Sequence, residues 1–524
     1  MTQFTQILLS GLISGILVLD SVQFCQFLFS RPFFAGIILG LANGCPIEGA
    51  VMGLLFDLLY SFAIPVGGSI PPNGLAGIAA ASIAFGSAGF SEPMAFFYGM
   101  LFAWLYSLAD NKIRIIRSSW NLPFAEKISH GFVSFKILFL RSFAADFLVI
   151  ALMAVIAGAL AMLISFCIPH IAFIENGARF AYSFVPVLGI SSLYFHFRRN
   201  ILALSSRKSN FSDAKASDSV CGAGCGGQSG KKNESQSALS IDDSDKKMLS
   251  AVFRRLFFIQ AGWNYERFQN FGFLYAMMPF IEKIYPDPVK RKAAMLRNFQ
   301  MVNTHPVMAS LLAGVVARLE EDFSAGKISL QRLSALKQSV SAAAAAAGDR
   351  FFWARLKPIA LQLGIFAWLL AGYAGWLFNF QEIYSKPSAA VLIAGPIVSI
   401  AVYSFFAVSM RWNALKAGYY GQENNLFGLS SLPLEKYMRR ADLSGFFFSV
   451  ALIIEMFAFF FVKNSAMGTG KNLVLIMFVL MVLALFSGRL LVSRGIGMHK
   501  AATVLLLAAI VFSAAGVPLV AFCL

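Results

Sequence analysis

Carboxylate and amide side chains interrupt the apolar runs of this chain, and they are the first candidates for chemistry. Asp20 and Gln23 follow the run LISGILVL, and Asp57 lies inside GLLFDLLYSF with apolar residues on both sides. A carboxylate in such surroundings must be paired, protonated or in a wet cavity, because an unpaired buried charge is costly. Carboxylate and amide oxygens also accept hydrogen bonds from hydroxyl groups. For Asp20, a helix end that faces water is an open alternative.

Amide groups mark two further places. Asn73 follows Pro71-Pro72, where its amide can donate to and accept from a hydroxyl group, or can cap a turn. Asn264 and Glu266 follow a tryptophan in WNYER, and Glu266 can instead pair with the arginine beside it. Both places are therefore predicted ligand-binding positions with a structural alternative.

A third polar group lies later in the chain. Asn303, Thr304 and His305 directly precede a proline, and Asp349 lies in GDRFFW. His305 is either a hydrogen-bond partner for a ligand or a structural histidine. Asp349 is either a ligand contact or the partner of Arg350.

Several classes of site are not supported by the motifs. The five histidines show neither a catalytic-triad arrangement nor zinc-ligand spacing, and Walker A, GxGxxG, HExxH and GxSxG motifs are missing from suitable contexts. Cys221 and Cys225, in CGAGCGG, do not form a CxxC motif, so a metal or redox role for them is left open. We therefore expect no catalytic residue, no metal and no cofactor on this chain.

The composition indicates that membrane helices position these residues. Hydrophobic residues make up 58% of the 524 residues and charged residues 13%, with 54 phenylalanines, whereas soluble domains carry about 25% charged residues. The net charge of +17 fits basic residues at cytoplasmic loops and anionic lipid, and no separate basic domain suggests a nucleic-acid partner. We expect an all-α, multi-pass protein of a bacterial cytoplasmic (inner) membrane, whose N-terminus is a first membrane segment and not a cleaved signal peptide.

Apolar windows near membrane-spanning length recur along the chain, since a span needs roughly 20 apolar residues. They fall around 6–28, 33–62, 74–107, 137–168, 179–196, 359–380, 388–410, 444–463, 472–491 and 501–524. The stretch IPVGGSIPPNGLAG (64–77) predicts a broken or re-entrant segment, because irregular backbone at membrane depth lines a cavity or is buried in protein. A simple turn outside the membrane is the alternative.

The chain divides into three zones. A first membrane module covers residues 1–204, a polar linker rich in Ser, Gly, Lys and Asp covers 205–248, and a second module covers 249–524. The linker is predicted to be flexible and cytoplasmic. At the start of the second module, Val252 and Leu256 recur at helical spacing, which fits a helix in the membrane interface or a surface helix packed on its own core.

Four ordered motifs of the second module resemble one family closely. They are AGWNYERFQNFGFLYAMMPFIEKIYP (261–286), FQMVNTHPVMASLLAGVVARLEE (299–321), GDRFFWARLKPI (348–359) and RWNALKAGYYGQ (411–422). Together they are similar to the IID subunit of mannose/fructose/sorbose-family phosphotransferase system permeases.

The first module is similar to the partner subunit, IIC. The similarity consists of Asp20, Arg31-Pro32, LANGCPIEG (41–49), GLLFDLL (53–59) and IPVGGSIPPNG (64–74), in the family's order. Asp57 stands where the family usually has Glu, and Cys45 where many relatives have Asp. The two subunits, usually separate, are fused here, which fixes their stoichiometry and gives a high effective concentration.

The resemblance implies a function and an assembly. It implies a translocator that carries a hexose-type sugar inward, coupled to phosphorylation by a separate cytoplasmic phospho-IIB protein of a IIA/IIB system. It also implies an elevator-like fold with inverted repeats, a homotrimer in contact with membrane lipid, and no phosphoryl-carrying residue on this chain. The polar positions described above would then bind the sugar, whose identity the sequence does not determine. The alternatives are an uncoupled solute permease and a membrane receptor or scaffold.

Overall fold

Almost every apolar stretch forms a helix in the computed structural model of the protein. The structure describes residues 2–63, 70–131, 133–166, 172–218, 243–378, 389–423, 427–466 and 471–516. Within these ranges there are helices and two isolated β-bridges, and no strand. The predicted all-α fold is therefore confirmed. Cys221 and Cys225 lie outside the described residues.

The helices follow the order of the sequence. In the first half they are α1 (Gln3–Val22), α2 (Pro32–Asn43), α3 (Pro46–Leu59), α4 (Gly74–Gly86), α5 (Glu92–Ser118), α6 (Asn121–Ser129), α7 (Phe135–Ser165), α8 (Ala172–Ser183) and α9 (Val185–Asp218). In the second half they are α10 (Asp243–Arg255), α11 (Asn270–Ile284), α12 (Pro288–Asn298), α13 (Ala309–Ser324), α14 (Leu330–Gly348), α15 (Lys357–Phe378), α16 (Ala389–Tyr420), α17 (Leu434–Ala466), α18 (Lys471–Ser493) and α19 (Met498–Ala514). A π-helix, Asp349–Leu356, joins α14 to α15.

Seven helical stretches of the described residues are long and apolar enough to cross a membrane. They are Gln3–Val22, Phe135–Ser165, Ala172–Ala203, Leu330–Ala371, Ala390–Tyr420, Leu434–Val462 and Lys471–Ser493. The prediction of a multi-pass membrane protein is confirmed.

Two of the apolar windows each contain two helices. The window 33–62 divides into α2 and α3, and the window 74–107 divides into α4 and α5. Gly44, at φ 76°, turns the chain between α2 and α3, since the left-handed region is open to glycine. Within this hairpin a Cβ on Gly36 would lie 2.1 Å from the Gly49 carbonyl oxygen, so the two helices touch through their backbones.

The predicted broken segment at 64–77 is partly described. Residues 64–69 lie outside the described residues, and 70–73 are not helical before α4 begins.

The two halves share one core. The large cluster around α2–α5 and α9 also contains Leu361 of α15, Met456 of α17, Met481 of α18 and Ala502 of α19. A second cluster joins α6 to α10–α14. The chain is thus not two separate bodies connected by a linker, because helices of each half fill the core of the other.

The start of the second half folds differently from a single amphipathic helix. After α10, a short 3₁₀ turn (Leu256–Phe258) leads into irregular chain up to Gln269, and α11 follows. Val252 and Leu256 are fully buried in the second cluster. These two residues therefore pack on the protein's own core. The two ends of the predicted linker, 205–218 and 243–248, are helical.

Candidate functional site

A cavity of about 520 Å³, with several polar side chains on its wall, lies between the two halves of the chain. The first half contributes side chains from the end of α1, the turn before α2, and α5. The second half contributes the segment before α11, the segment before α13, the π-helix, and the adjoining ends of α14 and α15. Five of the predicted site residues meet at this cavity. They are Asp20, Asn303, Thr304, His305 and Asp349.

Asp20 organises the turn that follows α1. Its carboxylate accepts hydrogen bonds from the Phe27 N–H at 2.8 Å and from the Ser30 N–H at 3.2 Å. Three residues of this turn, Cys25, Gln26 and Leu28, have φ of 68°, 57° and 74°, a region that costs non-glycine residues about 1–3 kcal/mol each. Asp20 is 6% exposed, so it does not face water as a helix end. It holds a strained turn against the cavity.

Thr304 is fixed through its backbone by one amide side chain. Gln269 donates from Nε2 to the Thr304 carbonyl at 2.7 Å, and its Oε1 accepts from the Thr304 N–H at 3.2 Å. Thr304 Oγ1 is buried without a hydrogen-bond partner among the described residues. Asn303 is exposed at the cavity margin, and its carbonyl accepts from the Ser341 hydroxyl at 2.9 Å.

His305 is held on three sides. Its Nδ1 accepts a hydrogen bond from the Val307 N–H at 3.2 Å, and its ring stacks on Phe352 and meets Trp353 edge-on at centroid distances of 5.0 and 4.9 Å. Burial, and secondarily the positive charge of Arg411, lowers the pKa of His305 to about 3. The ring is therefore neutral at physiological pH, and because Nδ1 is the acceptor, its proton lies on Nε2.

The π-helix carries Asp349 to the cavity. Segments of this kind are rare and occur often at functional sites. The alternative, a pairing of Asp349 with Arg350, is not observed: among the described residues Asp349 has neither an ion pair nor a side-chain hydrogen bond, and the Arg350 carbonyl accepts from Arg355 at 2.7 Å. Gly348 allows this approach, since a Cβ there would lie 2.3 Å from the Cβ of His305.

Asp57 acts behind the cavity wall. Its Oδ1 lies 2.8 Å from Nε of Arg31, and its Oδ2 accepts from the Phe33 N–H at 3.1 Å. Arg31 lines the cavity, and Asp57 does not. Asp57 thus binds the free N-terminus of α2 and orients a cationic side chain toward the site.

Gln23 and Asn73 lie outside the cavity lining. Gln23 is fully buried; its Nε2 donates to Asp146, and its Oε1 accepts from the Ser142 hydroxyl at 3.2 Å and the Gly262 N–H at 3.3 Å. Asn73 caps α4, where its Oδ1 accepts from two backbone N–H groups. For Asn73 the structure supports the capping alternative.

Asn264 and Glu266 form a polar contact between the halves, away from the cavity lining. Asn121 of α6 donates to Asn264 Oδ1 and to Glu266, both at 2.9 Å, and Asn270 donates to Asn121 at 2.8 Å. Glu266 also pairs with Arg267 at 3.1 Å, as its structural alternative predicts.

Sequence reasoning missed several polar residues of the cavity. They are Gln26, Arg31, Arg114, Gln269, Lys357 and Tyr403. Arg31 had a readable signal, because a basic residue directly before Pro32 opens an apolar helix. Gln26 had none, since only the fold of the turn brings it to the cavity.

Comparisons with known proteins match the two halves of this chain to two components of phosphotransferase systems. The family model described as "PTS system mannose/fructose/sorbose family IID component" matches residues 244–517, and the model described as "PTS system sorbose-specific iic component" matches residues 4–194. Both halves are thus matched, each by the model of a different subunit.

Two curated relatives illustrate the similarity of the second half. The fructose permease IID component of Bacillus subtilis (strain 168) is 29% identical over 209 residues, which cover 40% of this chain and 69% of that protein. The PTS system mannose-specific EIID component of Escherichia coli (strain K12) is 28% identical over 207 residues, which cover 39% of this chain and 66% of that protein. The chain therefore spans about two thirds of the length of these relatives.

A solved structure is also similar in sequence. The cryo-EM structure titled as the mannose transporter ManYZ in complex with microcin E492 is 22% identical, with 55% of this chain and 98% of that chain covered and a TM-score of 0.28.

Proposed function

The chain belongs to the mannose/fructose/sorbose family of phosphotransferase system components, with IIC-like and IID-like parts in one multi-pass membrane protein, and we propose that it carries a hexose-type sugar inward. The sugar is handed to a separate cytoplasmic phospho-IIB protein, which phosphorylates it. The location is the bacterial cytoplasmic membrane.

The observation that carries this proposal is the cavity between the two halves, with the polar side chains on its wall. Its volume of about 520 Å³ falls within the range of small-molecule sites. Carboxylate, hydroxyl and imidazole groups on its wall match the hydroxyl groups of a sugar in kind. We assign direct contact with the sugar to Asp20, Thr304, His305 and Asp349, and a supporting role to Asp57 through Arg31.

The remaining predicted site residues receive a different assignment. Gln23, Asn264 and Glu266 join the halves, Asn73 caps α4, and Asn303 lies at the exposed margin of the cavity. The positions of Gln23, Asn264, Glu266 and Asn73 do not support contact with the sugar.

The test is uptake in proteoliposomes. Purified protein is reconstituted, and uptake of radiolabelled hexoses is followed with and without phosphorylated IIB inside the vesicles. We expect accumulation of sugar phosphate only with phospho-IIB, and loss of accumulation in Asp349→Asn. Equal uptake of free sugar without IIB would replace this proposal by an uncoupled permease, and failure to bind or transport any hexose would favour a receptor or scaffold.

Assembly is a second part of the proposal. Apolar side chains such as Ile137, Leu140 and Phe166 are exposed on α7 and at its end, as expected for surfaces that meet lipid or another subunit. We assign these surfaces to membrane lipid and to contacts in a homotrimer. Native mass spectrometry in detergent checks the trimer, and a monomer under gentle conditions would contradict it.

A further inference from the structure

A second, larger cavity of about 1350 Å³ forms a groove between α5, α9 and the first turns of α19. Its wall along α5 is one apolar face, in which Met94, Phe97, Leu101, Trp104 and Leu108 recur at helical spacing. From Met94 to Leu108 this face is about 21 Å long, because each helical residue rises about 1.5 Å. The hydrocarbon of one membrane leaflet is about 15 Å thick, half of the whole core. The groove is therefore long enough for an extended acyl chain.

The groove opens on an apolar outer surface of the protein. Four large side chains on its wall are 45–66% exposed, namely Leu101, Trp104, Leu108 and Val504. Exposed apolar side chains on a membrane-embedded chain meet lipid or another apolar partner. The groove is also distinct from the cavity between the halves, because Ala63 and Ile70 line both and the other lining residues differ. A lipid can therefore enter the groove sideways from the bilayer without passing the candidate functional site.

The helices that line the groove show where its polar end lies. α5 and α9 begin side by side, since Tyr182, just before α9, donates a hydrogen bond to Glu92 at the start of α5 at 2.6 Å. Both helices lead away from this contact and line the groove, so Leu108 of α5 and Arg199 of α9 lie toward its opposite end. Arg199 therefore marks the end of the groove at which the apolar face of α5 stops.

The first turn of α19 reaches the same end. The ring of His499 lies 5.3 Å from that of Tyr60, and the ring of Phe62 lies 4.1 Å from that of His196 in α9, centroid to centroid. Tyr60 and Phe62 are two positions apart, so these two contacts are neighbours. Lys500, which follows His499 and lines the groove, therefore lies at the same end as the arginine of α9.

This cationic end, formed by Arg199 and Lys500, has positive charge without a counter-charge. Both side chains are exposed and make no ion pair among the described residues. The described residues that line the groove include no Asp and no Glu. His196 is engaged elsewhere, because its Nε2 lies 2.9 Å from the Ala354 carbonyl oxygen. A ligand that fits this wall therefore has a negative head and a long apolar tail.

The sequence around the cationic end indicates which side of the membrane it faces. Basic residues gather in the last turns of α5 and beside Arg199 in α9, namely Lys112, Arg114, Arg117 and Arg198. Basic residues next to apolar segments mark the cytoplasmic side of a membrane. The surface of the cytoplasmic leaflet is negative, because it contains anionic lipids that attract Lys and Arg. The cationic end is thus expected at the depth where anionic head groups lie.

We propose that the groove between α5, α9 and α19 binds a phospholipid with an anionic head group, whose phosphate pairs with Arg199 and Lys500 and whose acyl chain lies along the apolar face of α5. Arginine offers phosphate a fork of hydrogen bonds and lysine a point charge, so the two suit a phosphodiester. An uncharged apolar peptide would leave both charges without a partner. The site goes beyond the proposed sugar transport and does not depend on it.

The experiment measures lipid binding to the full chain, delipidated in detergent. Phosphatidylglycerol and phosphatidylcholine with identical acyl chains are titrated in turn, and native mass spectrometry counts the lipids bound. We expect phosphatidylglycerol to bind about tenfold or more tightly, because two cations attract the one head group that carries net negative charge. Inorganic phosphate should not displace it, since phosphate lacks the acyl chain. Equal binding of the two lipids, or displacement by phosphate alone, would overturn the proposal.

A double variant, Arg199→Gln with Lys500→Gln, tests the head-group contact. The affinity for phosphatidylglycerol should fall about tenfold or more, to that for phosphatidylcholine, because both cations are lost. The melting temperature should stay unchanged, since both side chains are exposed and unpaired among the described residues. A double variant that still prefers phosphatidylglycerol would show that these two residues do not bind the head group.

The matched control removes the same charge from the same end of the bundle. Arg439 and Arg440 of α17 are exposed and do not line the groove, and Asp442 beside them accepts a hydrogen bond from Asn200 of α9 at 2.9 Å. Arg439→Gln with Arg440→Gln should keep the preference for phosphatidylglycerol. An equal loss in both double variants would mean attraction to the net charge of the protein and no defined site.

A bulky side chain in the groove tests the acyl-chain contact. Val504 lines the groove and is 66% exposed, so Val504→Trp fills space there without disturbing the core. We expect it to weaken binding of both lipids about tenfold or more. Leu507→Trp is the control, because Leu507 is 58% exposed on the same helix and does not line the groove. Unchanged lipid binding in Val504→Trp would contradict the proposal, and a change only in the number of chains per particle would make the groove a contact between copies.

Discussion

At the scale of single residues, His305 combines two properties that sequence treats as alternatives. It is a structural histidine, since its ring packs between aromatic side chains, and it is also one of the residues that line the cavity. The same burial that fixes the ring also keeps it uncharged. The proposed ligand contact and the packing role would therefore reside in one side chain.

The buried neutral state of His305 predicts a pH dependence of stability. In the unfolded chain the imidazole has its ordinary pKa of 6.5, whereas in the folded chain burial lowers the pKa to about 3. Between these values the unfolded state binds a proton that the folded state does not, so stability falls as pH drops below about 6.5. At pH 5 the loss attributable to His305 is about 2 kcal/mol.

Thermal unfolding in detergent at pH 7.5 and pH 5 measures this effect. We expect the wild-type melting temperature to fall more on acidification than that of His305→Gln, whose side chain does not titrate. Equal falls in the two proteins would show that His305 does not remain neutral in the fold.

Substitutions of Asp349 and Glu266 distinguish a proposed ligand contact from a structural contact. Asp349→Asn keeps the shape and removes the free carboxylate of the cavity, so sugar affinity should fall by about 10- to 100-fold, the effect of losing a charged hydrogen bond of 1.5–3 kcal/mol. Glu266→Gln should leave sugar affinity unchanged, because Glu266 lies outside the cavity lining. Titration of both variants with the best-bound sugar makes the comparison. Loss of affinity in Glu266→Gln alone would reverse the assignment of the two carboxylates.

At the scale of elements, the junction of α14 with the π-helix depends on one glycine. A Cβ at Gly348 would lie 2.3 Å from the Cβ and 2.5 Å from the Cγ of His305, closer than packed atoms allow. Gly348→Ala should therefore shift the segment that carries Asp349. We expect a stability loss of about 1–3 kcal/mol from overpacking, together with weaker sugar binding.

Denaturation and sugar titration of Gly348→Ala check this expectation. Ala342→Ser, a small change on an exposed position of the same helix, serves as the control and should behave like wild type. A Gly348→Ala protein with native affinity and stability would mean that the helices separate without cost.

The Arg31–Asp57 pair links α2 to α3 and predicts a separation of stability from binding. Asp57→Asn leaves a buried guanidinium without its counter-charge, which typically costs about 3–5 kcal/mol. Replacing both partners by apolar residues, Arg31→Met with Asp57→Leu, should restore much of the stability, since an apolar pair of similar size avoids the buried charge. Sugar affinity should stay low in the double variant, because the Arg31 guanidinium is lost from the cavity wall.

Melting temperatures and sugar affinities of the wild type, Asp57→Asn and the double variant test this separation. Restored affinity in the double variant would show that Arg31 supports the fold only.

At the scale of the whole molecule, the two halves are held together by buried polar and apolar contacts. Gln23 accepts from the Gly262 N–H, Asn121 bonds to Asn264 and Asn270, and α17–α19 pack on α8 and α9. We therefore expect that cleavage at a protease site inserted between residues 219 and 242 leaves two fragments that copurify with an unchanged melting temperature.

Size-exclusion chromatography of the cleaved protein measures this association. Asn121→Leu should weaken it, because Asn264, Glu266 and Asn270 lose a buried hydrogen-bond partner. Separation of the wild-type fragments without denaturant would contradict a shared core.

Sequence reasoning succeeded where a physical demand is local. Long apolar runs demand helices in a membrane, and a carboxylate among apolar residues demands a partner. Hence the all-α membrane fold and the pairing of Asp57 were predictable, as was the joining of IIC-like and IID-like parts through their ordered motifs. The division of the windows 33–62 and 74–107 into two helices each was not predictable, because hydrophobicity alone does not distinguish one span from two consecutive helices.

By itself, therefore, the sequence determined that the protein lies in a membrane, that it is helical and to which family it belongs. It also determined which polar residues interrupt the apolar segments. Only the tertiary structure decided which of those residues share a cavity. Gln23 and Asp20 are three positions apart, yet one joins the halves and the other lines the cavity. The reason is that the strained turn after α1 and the π-helix determine which side chains face the cavity. Contacts between residues distant in sequence hold both elements in place.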